Sequence, residues 1–366
     1  MKIIHIVSSI AKINYGVWNA AIFGSTYLNK KHQVTSELWI CSKIIPDETV
    51  PDIEYHFFEK DNLTFSGYNK WLRKFNPSDT IFVTHGAWLK PTRLGFKAKL
   101  KGYSWIYIPH GMHEPWVDER GKLKKMIYFK LLERPMARRA DAVRAVSDVE
   151  KNNLTRRLNR KIHTIYNGII LDEDTNIEKP PEKLNFLFMA RLHRKKGIEP
   201  LVKAWAEVML EKKNAQLIIV GPDEGELDKI KPYFNNNITY LGPQFGQKKQ
   251  FLLREAHFYI LPSFKEGFPT SVVEAMGYGA IPIVSIGCNF PQVFEANLGF
   301  EVKPDKVSIQ TVLKQIITQP FDLNLSGRNI EYVKQNLTDK IIGENLFMLY
   351  QKILDKRNNM NEKSQE

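Results

Sequence analysis

The chain has 366 residues, 43% of them hydrophobic, with 53 Lys and Arg against 40 Asp and Glu and a formal net charge of +13. That length exceeds one ordinary domain and suits two, and no run of about 18 apolar residues is present to cross a bilayer. The two cysteines, Cys41 and Cys288, fall in different predicted halves. This argues against a disulfide framework and for a reducing, cytoplasmic setting. No Cys/His cluster has zinc spacing and no Asp-x-Asp pair suggests a divalent metal, so no cofactor is expected.

Lys2-Ile3-Ile4-His5-Ile6-Val7 opens the chain as a strand, better read as core than as a signal peptide. A loop ending in Tyr15-Gly16 leads to a helix from about Val17, and Gly16 would let the backbone approach a ligand. The strand Thr80 to Val83 is followed by His85-Gly86, and the strand Trp105 to Ile108 by Pro109-His110-Gly111. A histidine just past a strand, in a Gly turn, stands where open α/β sheets bind ligands. His110 is therefore preferred as a site residue over a satisfied structural histidine. His85 is a second candidate, on the other side of the same ligand site. His113 and Glu114 could also line that side, though a solvated loop explains them equally well.

The densest positive charge lies between Lys122 and Arg160. Lys124, Lys125, Lys130, Arg134, Arg138 and Arg139 alternate with Leu123, Met126, Ile127, Phe129, Leu131 and Leu132. The pattern predicts a basic amphipathic helix of the kind that lies on anionic membranes. The alternative is a helix with its apolar face in the domain core. Residues 1–170 hold 28 Lys and Arg against 15 Asp and Glu, and residues 171–366 hold 25 of each, so the whole excess is N-terminal. Nucleic acid is the rival partner for such a surface, but no nucleic-acid-binding motif accompanies it. Ser147-Asp148-Val149-Glu150 reads as a capping box and Asn167-Gly168 as a turn.

An acidic, Pro-containing linker spans 171–183. Phe186 to Ala190 reads as a buried parallel strand. It runs into Arg191-Leu192-His193-Arg194-Lys195-Lys196-Gly197 and then an amphipathic helix from about Ile198 to Leu210. Cations after a strand and before a helix are placed to grip a diphosphate. His193, Arg194 and Lys195 are better read as a solvated basic loop. Gln216 to Val220 is another strand, closed by Gly221. Phe258 to Leu261 is a strand, Lys265 to Thr270 a turn, and Ser271 to Tyr278 a helix. Strand, glycine turn and helix N-terminus together form a phosphate cradle, because free N–H groups and the helix dipole point at the anion. It would be lined by Gly267, Phe268, Pro269, Thr270 and Ser271. Glu266 lies in the turn. Glu274, in the first helical turn, could accept two ribose hydroxyls or simply complete a capping box with Ser271. A last helix runs from about Lys340 to Leu354.

The spacing of Glu266 and Glu274, with Pro262-Ser263 before and Gly279 and Pro282 after, resembles the E-x7-E signature of retaining glycosyltransferases of the GT4 family. Arg191 to Gly197 is similar to that family's G-R-L-x-x-x-K-G motif, with Ala190 in place of the first glycine; Tyr15-Gly16 has one glycine where members often have two. The resemblance implies a GT-B fold: two Rossmann-like α/β/α domains facing an interdomain cleft, with the C-terminal helix crossing back to the first. Residues 1–170 would bind the acceptor, 184–335 the nucleotide sugar, and 336–366 would form the crossover helix and a polar tail. It further implies that Glu266 and His110 lie by the donor sugar, that Glu274 holds the ribose, and that Arg191 and Lys196 contact the pyrophosphate. The expected reaction is metal-independent, retaining transfer from a UDP-sugar, or a GDP-sugar, to a saccharide or lipid-linked saccharide in surface polysaccharide assembly. It would take place at the inner face of the membrane. The rivals are a sugar-nucleotide epimerase of the same fold, a glycan phosphorylase with pyridoxal phosphate, and a non-catalytic sugar- or nucleic-acid-binding protein.

Overall fold

The computed structural model describes residues 1–10, 15–42, 53–58, 65–88, 90–113, 122–171, 179, 183–208, 214–318, 322 and 324–362. Glu114 and most of the 171–183 segment lie outside these residues. The chain divides into two compact units, one of Met1–Gly168 with Asp339–Glu366, the other of Ile169–Thr338.

The first unit is built on a parallel sheet of seven strands: β1 (Lys2–Val7), β2 (Thr35–Ile40), β3 (Ile53–Phe57), β4 (Thr80–His85), β5 (Ser104–Ile108), β6 (Ala142–Ala145) and β7 (His163–Thr164), in the order β3-β2-β1-β4-β5-β6-β7. A parallel sheet covered on both faces demands near-continuous apolar strands. Accordingly Ile3, Ile4, Ile6 and Val7 of β1 are fully buried. The second unit carries β8 (Leu184–Met189), β9 (Ala215–Val220), β10 (Ile238–Tyr240), β11 (Phe258–Leu261), β12 (Ile281–Val284) and β13 (Phe300–Glu301), all parallel, in the order β10-β9-β8-β11-β12-β13. Both orders reverse direction beside the first strand of the unit, as in doubly wound Rossmann-like sheets.

Helices fill the crossovers. In Ile198–Val208 the buried side chains are Ile198, Leu201, Val202, Ala204 and Trp205, one stripe at helical spacing. Trp205 packs edge-on against Phe186, which stacks on Phe258 at 4.6 Å between ring centres. The last helix, Asp339–Glu362, belongs to the first unit although its sequence follows the second. It buries Ile342, Leu346, Leu349, Tyr350, Ile353 and Leu354, each worth about 1.5–3 kcal/mol of burial. It is pinned to the helix Ser25–His32 through Glu344, which accepts from the Tyr27 hydroxyl at 2.6 Å and meets His32 Nε2 at 2.9 Å.

Two local expectations are refined. Ser147 caps the helix Asp148–Leu158, accepting from the Glu150 amide, and the Glu150 carboxylate also reaches beyond the box, accepting from the amides of Val146 and Gly111. The basic stretch is also not one regular helix. Lys122–Tyr128 is α-helical, Phe129–Glu133 is a π-helical turn, and Arg134–Ala137 resumes the α-helix. The wider turn rotates the residues that follow it. Phe129 and Glu133 point inward, while Met126, Ile127, Leu131 and Leu132 are 46–69% exposed. The apolar face of this segment is therefore not spent on the core.

Candidate active site

In the second unit, β8 ends at the loop carrying Arg191 and Lys196, and β11 ends at the turn carrying Glu266. These loops come from neighbouring strands and are stitched together. Phe264 N donates to Lys195 O at 2.8 Å, and the Ser263 hydroxyl donates to the same carbonyl at 2.9 Å. Gly197 makes the approach possible. It has φ +69°, and a Cβ there would lie 2.1 Å from the Pro262 carbonyl oxygen, so an L side chain would be both strained and in collision. The result sets Lys196 Nζ between both oxygens of Glu266, at 2.6 and 2.7 Å. Glu266 is fixed from behind, its amide donating to Gly287 O at 2.7 Å and its carbonyl accepting from the Asn289 amide group.

The helix after the turn begins at Thr270 and ends at Gly277, with Pro269 as its N-cap and no side-chain cap. Glu274 is thus in the second turn, and no capping box with Ser271 forms. Its carboxylate receives Lys249 Nζ at 2.7 Å instead. Lys249 escaped the sequence reading. It lies in the helix Gly246–Glu255, close behind Lys248. A physical signal was present, because two cations near a helix N-terminus oppose the dipole and call for a compensating anion. Arg191 Nη1 holds both oxygens of Glu224, at 2.8 and 3.0 Å, and remains 43% exposed. Gly267, Thr270 and Ser271 are half-buried, whereas Phe268 and Pro269 are buried, with Phe268 edge-on to Phe290.

In the first unit the histidines form a connected group. His5 Nδ1 is 3.0 Å from His85 Nε2, and His85 Nδ1 is 2.9 Å from His110 Nε2. His85 belongs to β4 itself and is 1% exposed. Both its nitrogens are engaged, so it does not line an acceptor surface as the sequence suggested. His113 is equally buried; its Nε2 is 2.6 Å from the Tyr107 hydroxyl, which donates to Glu133 Oε1 at 2.7 Å. It too is interior. The same Glu133 oxygen accepts from the Thr92 hydroxyl and the Trp88 amide, while burial pushes this carboxyl above the usual range. His110 is only half-buried and has φ +53°. Burial and then the Arg144 guanidinium push His5 and His110 down to about 3, and burial and Arg157 do the same to His113. All are neutral at physiological pH. Arg144 is itself buried and pushed down to about 10; it donates to the carbonyls of Ile165 and Tyr166 and to Asn167 Oδ1. Gly16 is exposed, and among the described residues nothing lies within 4 Å of where its Cβ would be.

Residues 171–335 match the family description "Glycosyl transferases group 1", and residues 36–173 match "Glycosyltransferase Family 4". The chain belongs to the group 1 glycosyltransferases. Within that family it is 28% identical over 263 residues to a glycosyltransferase of Methanocaldococcus jannaschii, a stretch covering 66% of this chain and 64% of the relative. The match therefore spans a little under two thirds of that relative's length. A further relative is the N,N'-diacetylbacillosaminyl-diphospho-undecaprenol alpha-1,3-N-acetylgalactosaminyltransferase of Campylobacter jejuni, 32% identical over 114 residues, 31% of this chain and 28% of that one. An Anabaena protein solved in complex with UDP and glucose superposes with a TM-score of 0.72 at 16% identity, covering 96% of this chain and 100% of that one. The group 1 chain accordingly has the two-domain Rossmann-like GT-B architecture.

Proposed function

We propose that the chain transfers a sugar, with retention of anomeric configuration, from a nucleotide-diphosphate sugar to a saccharide or lipid-linked saccharide. The observation that supports this best is the pairing of Lys196 with Glu266, and of Lys249 with Glu274, around a helix that has no side-chain cap. An arriving diphosphate competes with the carboxylates for the ammonium groups and takes the free amide end of the helix. Arg191 and Lys196 then stabilise the charge that develops on the diphosphate as its bond to sugar C1 breaks. The acceptor hydroxyl attacks from the same face, and its proton passes to the departing phosphate oxygen. No metal step is needed. Glu266 orients the sugar and Glu274 takes the ribose hydroxyls. UDP is the first nucleotide to try, since the Anabaena neighbour holds it with glucose.

Thermal unfolding with UDP, GDP and ADP tests the donor site. One nucleotide should raise the midpoint of the wild type and not of Glu274→Ala. No shift with any of them would favour a different kind of sugar-binding protein. A donor altered without any acceptor would favour an epimerase.

The acceptor class is inferred from the exposed segment 124–132. Met126, Ile127, Leu131 and Leu132 stand out among the exposed Lys124, Lys125 and Lys130, the chemistry that seats a protein on anionic lipid. The Campylobacter relative's diphospho-undecaprenol acceptor is of that membrane-held kind. Among the described residues no helix is long and apolar enough to cross a membrane, so the contact would be peripheral. Flotation with phosphatidylglycerol vesicles should carry the protein up. Leu131→Ser with Leu132→Ser should weaken this about 10-fold, and equal flotation of the double variant would remove the lipid surface from the proposal.

A further inference from the structure

Glu37, Glu54 and His56 come together at the edge of the first unit's sheet. In the parallel register of β2 and β3, Glu37 pairs with Glu54 and Trp39 with His56. Side chains alternate faces with a period of two, so these four share one face. Two carboxylates set side by side on neighbouring strands repel each other unless something positive lies between them. Lys2 meets only part of this charge, its ammonium holding Glu37 Oε1 at 2.7 Å. The other oxygen, Oε2, accepts from Trp39 Nε1 at 2.9 Å and stands 3.3 Å from His56 Nε2. Glu54 Oε1 stands 3.2 Å from the same nitrogen. The His56 side chain is 32% exposed, but this nitrogen is buried and makes no hydrogen bond among the described residues. Two anionic oxygens thus flank a buried nitrogen without either lying where a ring hydrogen would meet it squarely.

We infer that Glu37 Oε2, Glu54 Oε1 and His56 Nε2 bind a divalent cation of the zinc kind, which ties the edge strand β3 to β2. An imidazole nitrogen and two carboxylate oxygens suit that ion, at about 2.0–2.2 Å each, with the fourth tetrahedral position left to solvent. Atoms at two corners of such a tetrahedron are about 3.3–3.4 Å apart, close to the 3.2 and 3.3 Å found between His56 and the two carboxylates. All three ligand atoms lie within 4.8 Å of one another. A proton on Nε2 has to choose between the two oxygens, whereas a metal ion takes a lone pair from all three atoms. The ligands are also held from behind, as metal ligands require. Lys2 and Trp39 orient the Glu37 carboxylate, and the His56 ring meets Trp39 and Trp71 edge-on at 6.0 and 6.2 Å between ring centres. Glu54 is 66% exposed and opens the site to solvent. β3 ends the sheet order and none of its five residues is buried, so the ion gives this strand a hold that packing does not. The inference stands apart from the transferase reading, whose reaction has no metal step.

Calorimetric titration of the chelator-treated full chain with zinc chloride tests this. The wild type should take up one Zn2+ at this site, and its thermal midpoint should rise as Zn2+ is added. Glu54→Gln removes one ligand at an exposed position, and His56→Gln removes another. Each should weaken the binding about 10- to 100-fold and shrink the rise at the Zn2+ concentration that just saturates the wild type. His32→Gln, at a different histidine–carboxylate pair, should leave both intact. Where His56→Gln yields no folded protein, Glu54→Gln decides alone. No Zn2+ uptake by the wild type, or equal uptake by Glu54→Gln and His56→Gln, overturns the inference. So does loss of uptake in His32→Gln alone, which would put the ion at the other pair.

Discussion

In the second unit the polar groups meet as opposite charges, Glu266 on Lys196 and Glu274 on Lys249, each pair half-buried. In the first unit three imidazoles meet one another, neutral, under the field of the buried Arg144. The first arrangement is made to be exchanged. An arriving diphosphate offers the ammonium another anion, so the pair can open without leaving the cation uncompensated. The second is made to stay. Its members have no ion to trade.

The contrast can be broken from either side. The largest effect should come from Lys196→Ala, which removes the cation that faces the leaving group. Transfer is expected to fall about 10²–10³-fold, or roughly 2.7–4 kcal/mol, while the midpoint without nucleotide moves little. A loss below about 5-fold would show that the exchangeable pair is not where the charge is met.

The next effect is on the fixed side. The folded pKa values of His5, His110 and His113 lie near 3, below the unfolded value of 6.5. Between those values the unfolded chain binds more protons. Stability is therefore complete above about pH 6.5 and is lost as the pH falls towards 3, on the order of 1–2 kcal/mol per buried histidine at pH 5. Thermal midpoints at pH 7.5 and 5 should differ by several degrees. Replacing His113 by Phe should shrink the difference, and a flat profile would contradict neutral burial.

The smallest expected change is Lys249→Met. It leaves Glu274 without its ammonium and should weaken nucleotide binding about 3- to 10-fold by titration calorimetry. An unaltered affinity would make Lys249 a surface pair only.

What was legible in the sequence follows the distance over which each feature is assembled. Arg191, Lys196, Glu266 and Glu274 sit in two strand–loop–helix units whose geometry is local, and their residue types already state the chemistry. Lys249 reaches Glu274 from a separate helix, so its partner depended on packing. His5 was read only as part of a strand. Nothing near it in sequence announces His85 or His110, and the diagonal that unites them exists only once β1, β4 and β5 are set in order and register. The same holds for the π-helical turn at Phe129–Glu133. A helical pattern of charge and apolarity cannot show that one wider turn will carry Leu131 and Leu132 outward.

The helix Asp339–Glu362 has a consequence for how the protein comes into being. The second unit, Ile169–Thr338, is continuous and is complete before that helix is made. The first unit has all seven of its strands by Thr164 but lacks the helix that covers its Tyr27 and His32 side. At about 5–20 residues per second, this unit waits on the ribosome for roughly ten to forty seconds with an uncovered apolar strip. A chaperone that shields such surfaces during translation has its longest opportunity there, and the later-made unit is the one that closes its fold first.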